Sequence, residues 1–286
     1  MQHPFKTRLR QVLLAAGLAC AAQAQAATPL LGLYTFEGAN GNFGNVVDAS
    51  GNNKNPVSYG AVSVTTGGQG YQGEAARFSP ASYLAPTGGF EVDINITQGV
   101  NPNGMTIGGW INLASERTAQ GANTFFSHDN GGWDRGVWYN RDTNTWQSRA
   151  YTALSGSSSS SAMNIGQWYF VVATFDGSVG NNVNMYLDGR YIGQTPFGED
   201  GNPAPYLRFG AYDNNSTTEP FSGRMDNVFV FGGVLSQNEI NTIQQGGVAG
   251  IQQVAGVSPV PEPETYAMML AGLGVIGSIA RRRRQA

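Results

Sequence analysis

The sequence predicts an all-β domain carried between two targeting segments. Short apolar runs recur along the middle of the chain, and several alternate apolar with polar residues, as in Asn184-Met185-Tyr186-Leu187, the period of a half-buried strand. The runs are separated by asparagine, serine, threonine and glycine, the last numbering 40 in 286 residues, which is turn composition. Each end carries its own apolar run bounded by positive charge, so the fold is to be sought between them.

At the N-terminus, Lys6, Arg8 and Arg10 precede an apolar stretch from Val12 to Ala22, and Ala24-Gln25-Ala26 supplies the small-x-small pattern that signal peptidase reads. Residues 1–26 are expected to leave as a secretion signal, cut after Ala26. Cys20 offers a lipoprotein alternative, but Gly17 stands three positions before it, where a lipobox needs an aliphatic residue. Once the signal is removed, the body has no cysteine and one histidine, His128, which excludes disulfides, thiolate metal sites and cysteine nucleophiles. Between Ala27 and Val260 nine Lys and Arg face 17 Asp and Glu, a net charge of −8 with Lys54 the single lysine. Such a surface repels phosphate backbones and argues against a nucleic-acid partner.

The body is long enough for one large all-β domain or two small ones. Strands are expected at 30–36, 75–78, 105–113, 124–127, 136–139, 147–151, 168–175, 183–187, 191–195, 206–210 and 221–231. The serine run Ser155 to Ser161 reads as a long surface loop inside one domain, because similar strands flank it. Asp188-Gly189 between β-formers suits a type I′ hairpin turn. Ser236-Gln237-Asn238-Glu239 is a capping box that opens a helix to about Gln245, ended by Gly246-Gly247. The domain is therefore expected to span 27–248, with a polar tether over 249–259 and a targeting segment over 260–286.

Taken in order, Asp48-Ala49-Ser50-Gly51-Asn52-Asn53, Ala75-Ala76-Arg77-Phe78, Met105-Thr106-Ile107-Gly108-Gly109-Trp110, the run from Gly166 to Gly177, Met185 to Gly189, and Phe221 to Phe231 followed by Leu235 to Ile240 resemble the laminin-G-like group of the concanavalin A-like lectin and glucanase fold. The resemblance covers roughly Leu30 to Gln245. It implies a jelly roll of two antiparallel sheets packed face to face, with the short helix after the last strand. It also implies a calcium ion at the sandwich edge, held by Asp48 and Asp226 with Glu37 as a third ligand, since a Gly-Asn-rich turn exposes carbonyls that suit this cation. The alternative is that Asp48 caps its own turn and Asp226 pairs with Arg224 or another cation. Trp110, Trp168, Tyr169 and Phe170 are assigned to packing, as large aromatics in regular strands usually are.

No catalytic set is complete. Glu91-Val92-Asp93 resembles the start of the E-x-D-x-x-E strand of retaining β-glucanases, yet Asn95 and Ile96 stand where the second glutamate belongs, and a retaining hydrolase needs two carboxylates about 5 Å apart. Glu91 and Asp93 are read as solvent-facing. His128-Asp129 has no G-x-S-x-G elbow to serve, and a lone histidine in a loop reads as a surface residue. The loops Asp129 to Arg135 and Tyr212 to Ser216 place flat aromatics beside carboxylates and amides, the way proteins hold sugars, so Trp133, Asp134, Tyr212, Asp213 and Asn214 are the candidate ligand residues.

The C-terminus completes the export route. Val260-Pro261-Glu262-Pro263-Glu264 is followed by an apolar run from Tyr266 to Ala280 and by Arg281, Arg282, Arg283 and Arg284. The prolines keep the chain extended, the apolar run falls short of the roughly 20 residues of a comfortable membrane span, and the arginines stay on the cytoplasmic side. This arrangement resembles the PEP-CTERM sorting signal of Gram-negative bacteria, which implies a transient inner-membrane anchor and cleavage near Pro261, Glu262 and Pro263 by an exosortase. The sequence thus reads as an exported, non-catalytic domain that binds an extracellular polysaccharide or mediates adhesion. A glycan hydrolase or lyase on the same fold, and a structural matrix protein without a specific ligand, are the alternatives.

Overall fold

The computed structural model describes residues 27–79, 88–96, 104–115, 122–128, 135–150, 153–160, 162–175, 182–196, 206–211 and 220–257. Its first eight strands are β1 (Leu30–Tyr34), β2 (Val57–Tyr59), β3 (Val62–Val64), β4 (Ala76–Phe78), β5 (Gly89–Val92), β6 (Met105–Leu113), β7 (Ala122–His128) and β8 (Arg135–Asn140). The others are β9 (Thr145–Ala150), β10 (Ala153–Ser160), β11 (Trp168–Phe175), β12 (Asn182–Leu187), β13 (Arg190–Pro196), β14 (Leu207–Phe209) and β15 (Gly223–Phe231), followed by helices α1 (Gln237–Gly246) and α2 (Val248–Val254). The expected two-sheet antiparallel sandwich is present. One sheet has eight strands in the order β13-β12-β11-β6-β15-β4-β3, with β1 also on β15, and the other has seven in the order β10-β9-β8-β7-β14-β5-β2.

Strand side chains alternate between the two faces of a sheet, and both faces of the eight-stranded sheet are covered. Inward, Ile107, Ile111, Val171, Met225 and Val230 meet Phe126, Val137 and Phe209 of the facing sheet. Outward, Trp110, Phe170, Phe229 and Phe231 meet Ile240, Ile243, Ile251 and Val254 of the helix pair. The central strands are therefore apolar on both faces, and β6, β11 and β15 are buried almost throughout. Phe90 is the hub of the inner core. Its ring lies 4.9 to 6.2 Å from those of Tyr34, Phe36, Phe43, Phe78 and Phe209. A bulge in β15 between Asp226 and Phe229, with Asn227 at φ 47°, adds one residue opposite β6 and keeps both Asp226 and Phe229 on the outer face.

The long strands fall where the sequence places them, with 105–113 and 168–175 matching end to end. Asp188 and Gly189 have φ 47° and 72°, the two positive values that a type I′ turn requires. The capping box forms as read. The Ser236 side chain accepts from the Glu239 amide, and the Glu239 carboxylate accepts from the Ser236 N–H at 2.7 Å.

Three expectations are corrected. The serine run is not a loop: β10 pairs antiparallel with β9, backbone ladders being indifferent to the absence of apolar side chains. The tether does not begin at residue 249, because Gly247 at φ 56° ends α1 and the chain re-enters a helix whose Ile251 and Val254 dock on the outer face. His128 is not a surface residue; it is fully buried at the end of β7. The two apolar targeting segments lie outside the described residues. Among those described, no helix is long and apolar enough to cross a membrane.

Candidate functional site

The candidate ligand residues Trp133, Asp134, Tyr212, Asp213 and Asn214 lie outside the described residues, as do the processing positions Ala26, Pro261, Glu262, Pro263 and Arg281 to Arg284. The two acids of the E-x-D segment are each engaged by a cation. Arg208 Nε donates to Glu91 at 3.4 Å and Lys54 Nζ to Asp93 at 2.7 Å.

The three proposed calcium ligands do not converge, and among the described residues no three acidic or imidazole side chains do. Asp48 serves its own turn. Its Oδ1 accepts from the amides of Leu33 at 3.0 Å and Ser50 at 2.9 Å, and its Oδ2 from that of Lys54 at 3.0 Å. The aspartate thereby fastens β1 to the loop that follows it, as the capping alternative requires. Asp226 and Glu37, by contrast, share one neighbourhood beside the loop 70–74. Asp226 accepts from the Gln72 amide at 2.9 Å and the Asn227 amide at 2.7 Å, and Glu37 accepts from the Glu74 amide at 2.9 Å. Glycine is needed in this loop. A Cβ on Gly73, at φ 69°, would strike the Glu37 carboxylate, and one on Gly70 would reach 2.9 Å from Asp226 Oδ2.

Burial pushes the Asp226 carboxyl up to about 7, and the nearby Glu37 charge adds to the shift, against the lowering effect of the Gln72, Asn227 and Tyr71 amides. The alternative pairing with Arg224 is not made; that guanidinium donates instead to the Gln69 carbonyl at 2.8 Å and to Asn112 Oδ1 at 3.2 Å. Among the described residues no cation is paired with Asp226, and of the three proposed calcium ligands only Asp226 and Glu37 stand near one another. Asp48 is not part of that pair.

The same loop builds a second feature on the outer face of the eight-stranded sheet. Tyr71 stands 40% exposed and lies flat on Trp110, with ring centroids 4.6 Å apart and planes 15° from parallel. Trp168 meets Tyr71 edge-on at 6.3 Å, and Phe170 closes the stack below Trp110 at 4.5 Å. Together with Asp188, Gln244 and Gln245 these rings line an open hollow of about 300 Å³. Asp188 is fixed there by its turn, its Oδ1 accepting from the Phe170 amide at 2.9 Å. Sequence reasoning missed this hollow because its parts come from a loop, two strands, a hairpin turn and a helix. The one local signal is Tyr71, an aromatic inside a Gly- and Gln-rich loop with no apolar neighbours to pack against.

Residues 87–241 match the family Laminin_G_3, described as the concanavalin A-like lectin/glucanases superfamily, and residues 259–284 match the PEP-CTERM protein-sorting motif. No curated protein matches the sequence. Among solved structures, domain 4 of AbnA, a GH43 extracellular arabinanase from Geobacillus stearothermophilus in complex with arabinotriose, is 17% identical with a TM-score of 0.55, the alignment covering 77% of this chain and all of that one. The binding domain of botulinum neurotoxin DC in complex with SialylT is 13% identical with a TM-score of 0.54, over 76% of this chain and 50% of that one. At such identities these likenesses concern the fold alone, and this chain spans about half the length of the neurotoxin domain.

Proposed function

The chain belongs to the concanavalin A-like lectin/glucanases superfamily and carries a PEP-CTERM sorting motif, and from that premise we propose an exported, non-catalytic carbohydrate-binding protein delivered to the cell surface or extracellular matrix. The observation that carries the proposal is the aromatic hollow on the outer face. A solvent-exposed Tyr71 beside the Trp168 edge offers flat apolar surface to a sugar ring, and Asp188, Gln244 and Gln245 offer acceptors and donors to its hydroxyls. The arabinotriose and SialylT complexes of the neighbouring structures favour a glycan as the ligand class. Among the described residues Asp188 is the sole carboxylate lining the hollow, whereas retaining and inverting glycosidases both use a pair.

Export would proceed by removal of residues 1–26 by signal peptidase and, after a transient inner-membrane stage, by exosortase cleavage near Pro261-Glu262-Pro263. A calcium ion on Asp226 and Glu37 belongs to the same reading. It would neutralise the buried carboxylate and pin the loop that presents Tyr71. A glycan array with the full chain, run with calcium and with a chelator, tests the proposal. Retention on a defined saccharide class is the expected result. Hydrolysis of that saccharide during incubation would refute the non-catalytic reading.

A further inference from the structure

Across the outer face of the eight-stranded sheet, the strand register sets Ser63, Arg77, Arg224, Asn112 and Trp168 side by side on β3, β4, β15, β6 and β11. Arg77, Arg224 and Asn112 line an open cleft of about 490 Å³, bordered by Gln69, Gly166 and Ser222. Arg77 and Arg224 are direct cross-strand partners. Like charges placed directly opposite one another weaken a sheet, so the pair is a cost to the fold. Among the described residues neither arginine has a carboxylate partner, although acids outnumber bases almost two to one in the body.

Arg224 is nevertheless held in place. Two of its N–H groups are taken by the Gln69 carbonyl and Asn112 Oδ1, and its guanidinium lies 5.4 Å from the centre of the Trp168 ring. A guanidinium has five N–H donors, so three remain for a ligand on Arg224 and all five on the exposed Arg77. Ser222 adds a buried hydroxyl without a hydrogen-bond partner in the wall of the cleft. Trp168 joins this cleft to the aromatic hollow, because Arg224 lies over the same ring that borders the hollow. Two strand spacings, roughly 10 Å, separate the Arg224 strand from the Trp168 strand.

We propose that the hollow and the arginine cleft form one groove that binds a uronate polysaccharide, with a sugar ring against Tyr71 and Trp168 and its carboxylate between Arg77 and Arg224. The inference rests on the carbohydrate-binding reading and narrows it to an acidic glycan. Planar guanidinium groups match a carboxylate through two parallel hydrogen bonds, which a lysine pair would not reproduce.

The test is binding of the full chain to alginate, polygalacturonate and hyaluronan, each beside its carboxyl-reduced form, with dextran sulfate and neutral arabinan as controls. At least one uronate polymer should bind, and reduction of its carboxyl groups should weaken binding by at least about tenfold. Arg77→Gln and Arg224→Gln should each weaken it by about tenfold or more. Among the described residues the Arg77 side chain makes no hydrogen bond or ion pair, so Arg77→Gln should melt no lower than the parent and separates loss of charge from loss of structure. Equal binding to native and reduced polymers, or binding indifferent to both substitutions, would overturn the proposal. So would arginine-dependent binding to dextran sulfate alone, which would mark a sulfate site. Retention on neutral arabinan that Trp168→Ala abolishes and the arginines do not affect would refute the uronate assignment and leave the carbohydrate reading standing. Failure to bind any glycan would remove both.

Discussion

Asp226 gives the most quantitative prediction. Its carboxyl is fully buried and is pushed from an ordinary value of 3.8 to about 7, chiefly by burial. The folded state therefore holds a proton that the unfolded chain has lost between those two values, and stability falls as pH rises through this window. At about 1.4 kcal/mol per unit, the term amounts to about 4 kcal/mol, fully present below pH 4 and gone above pH 7. In Asp226→Asn the titration disappears, while the amide nitrogen can no longer accept from one of the Gln72 and Asn227 N–H groups, at a cost of about 1 to 3 kcal/mol at every pH. The substitution should thus destabilise the chelated protein at pH 4 and be neutral or stabilising at pH 8, a swing of roughly 8 to 16 °C in relative melting temperature for a domain of this size. Thermal melts of both proteins in a chelator from pH 4 to pH 8 measure it. A difference that stays constant to within about 1 kcal/mol across that range would refute the account of the buried carboxylate. Millimolar calcium should offset roughly two thirds of the decline in the parent and leave Asp226→Asn unmoved, since an ion bound only to the folded state at a hundred times its Kd adds about 2.7 kcal/mol.

Three further outcomes follow from the fold and the export route. Phe90→Ala should cost about 3 to 5 kcal/mol in denaturant unfolding, because it empties the centre of a five-ring cage; a loss under 1 kcal/mol would mean the cage collapses onto the void. Ile251→Asp should destabilise by about 3 kcal/mol or more by burying an unpaired charge under α2, whereas a free tether at that position would show no change in the melt. Mass spectrometry of the extracellular form should find its C-terminus near Pro261 to Glu264, and a mature form retaining Arg281 to Arg284 would contradict exosortase release.

The central strands were legible because burial on both faces makes them long unbroken apolar runs, as at 105–113 and 168–175. β2 and β3 were not, since three residues such as Val57-Ser58-Tyr59, partly exposed, carry too little periodicity to register. β10 was hidden for a related reason, as Ser155 to Ser160 has a backbone that pairs but no apolar pattern. In α2 the apolar residues Val248, Ile251 and Val254 recur every three positions, yet Gly250 and two glutamines made the segment look like a linker. The sequence singled out Asp226 and Glu37, but not which turn Asp48 serves, because Asp48 is bonded to amides both before and after it in the chain. The groove was the least legible part. Tyr71, Trp168, Asp188 and Gln244 are neighbours only after one sheet has formed and a helix has packed on its outer face, and the tryptophan on its own reads as core.

A carbohydrate-binding protein of this build must hold its glycan on the Tyr71 and Trp168 surface. The direct measurement is calorimetric titration of the array-selected oligosaccharide into the parent chain and into Tyr71→Ala and Trp168→Ala, with their melts recorded alongside. Loss of about tenfold or more in affinity for both variants, with Tyr71→Ala still folding like the parent, is the expected result. Undiminished affinity in both folded variants would place the glycan elsewhere and contradict the claim.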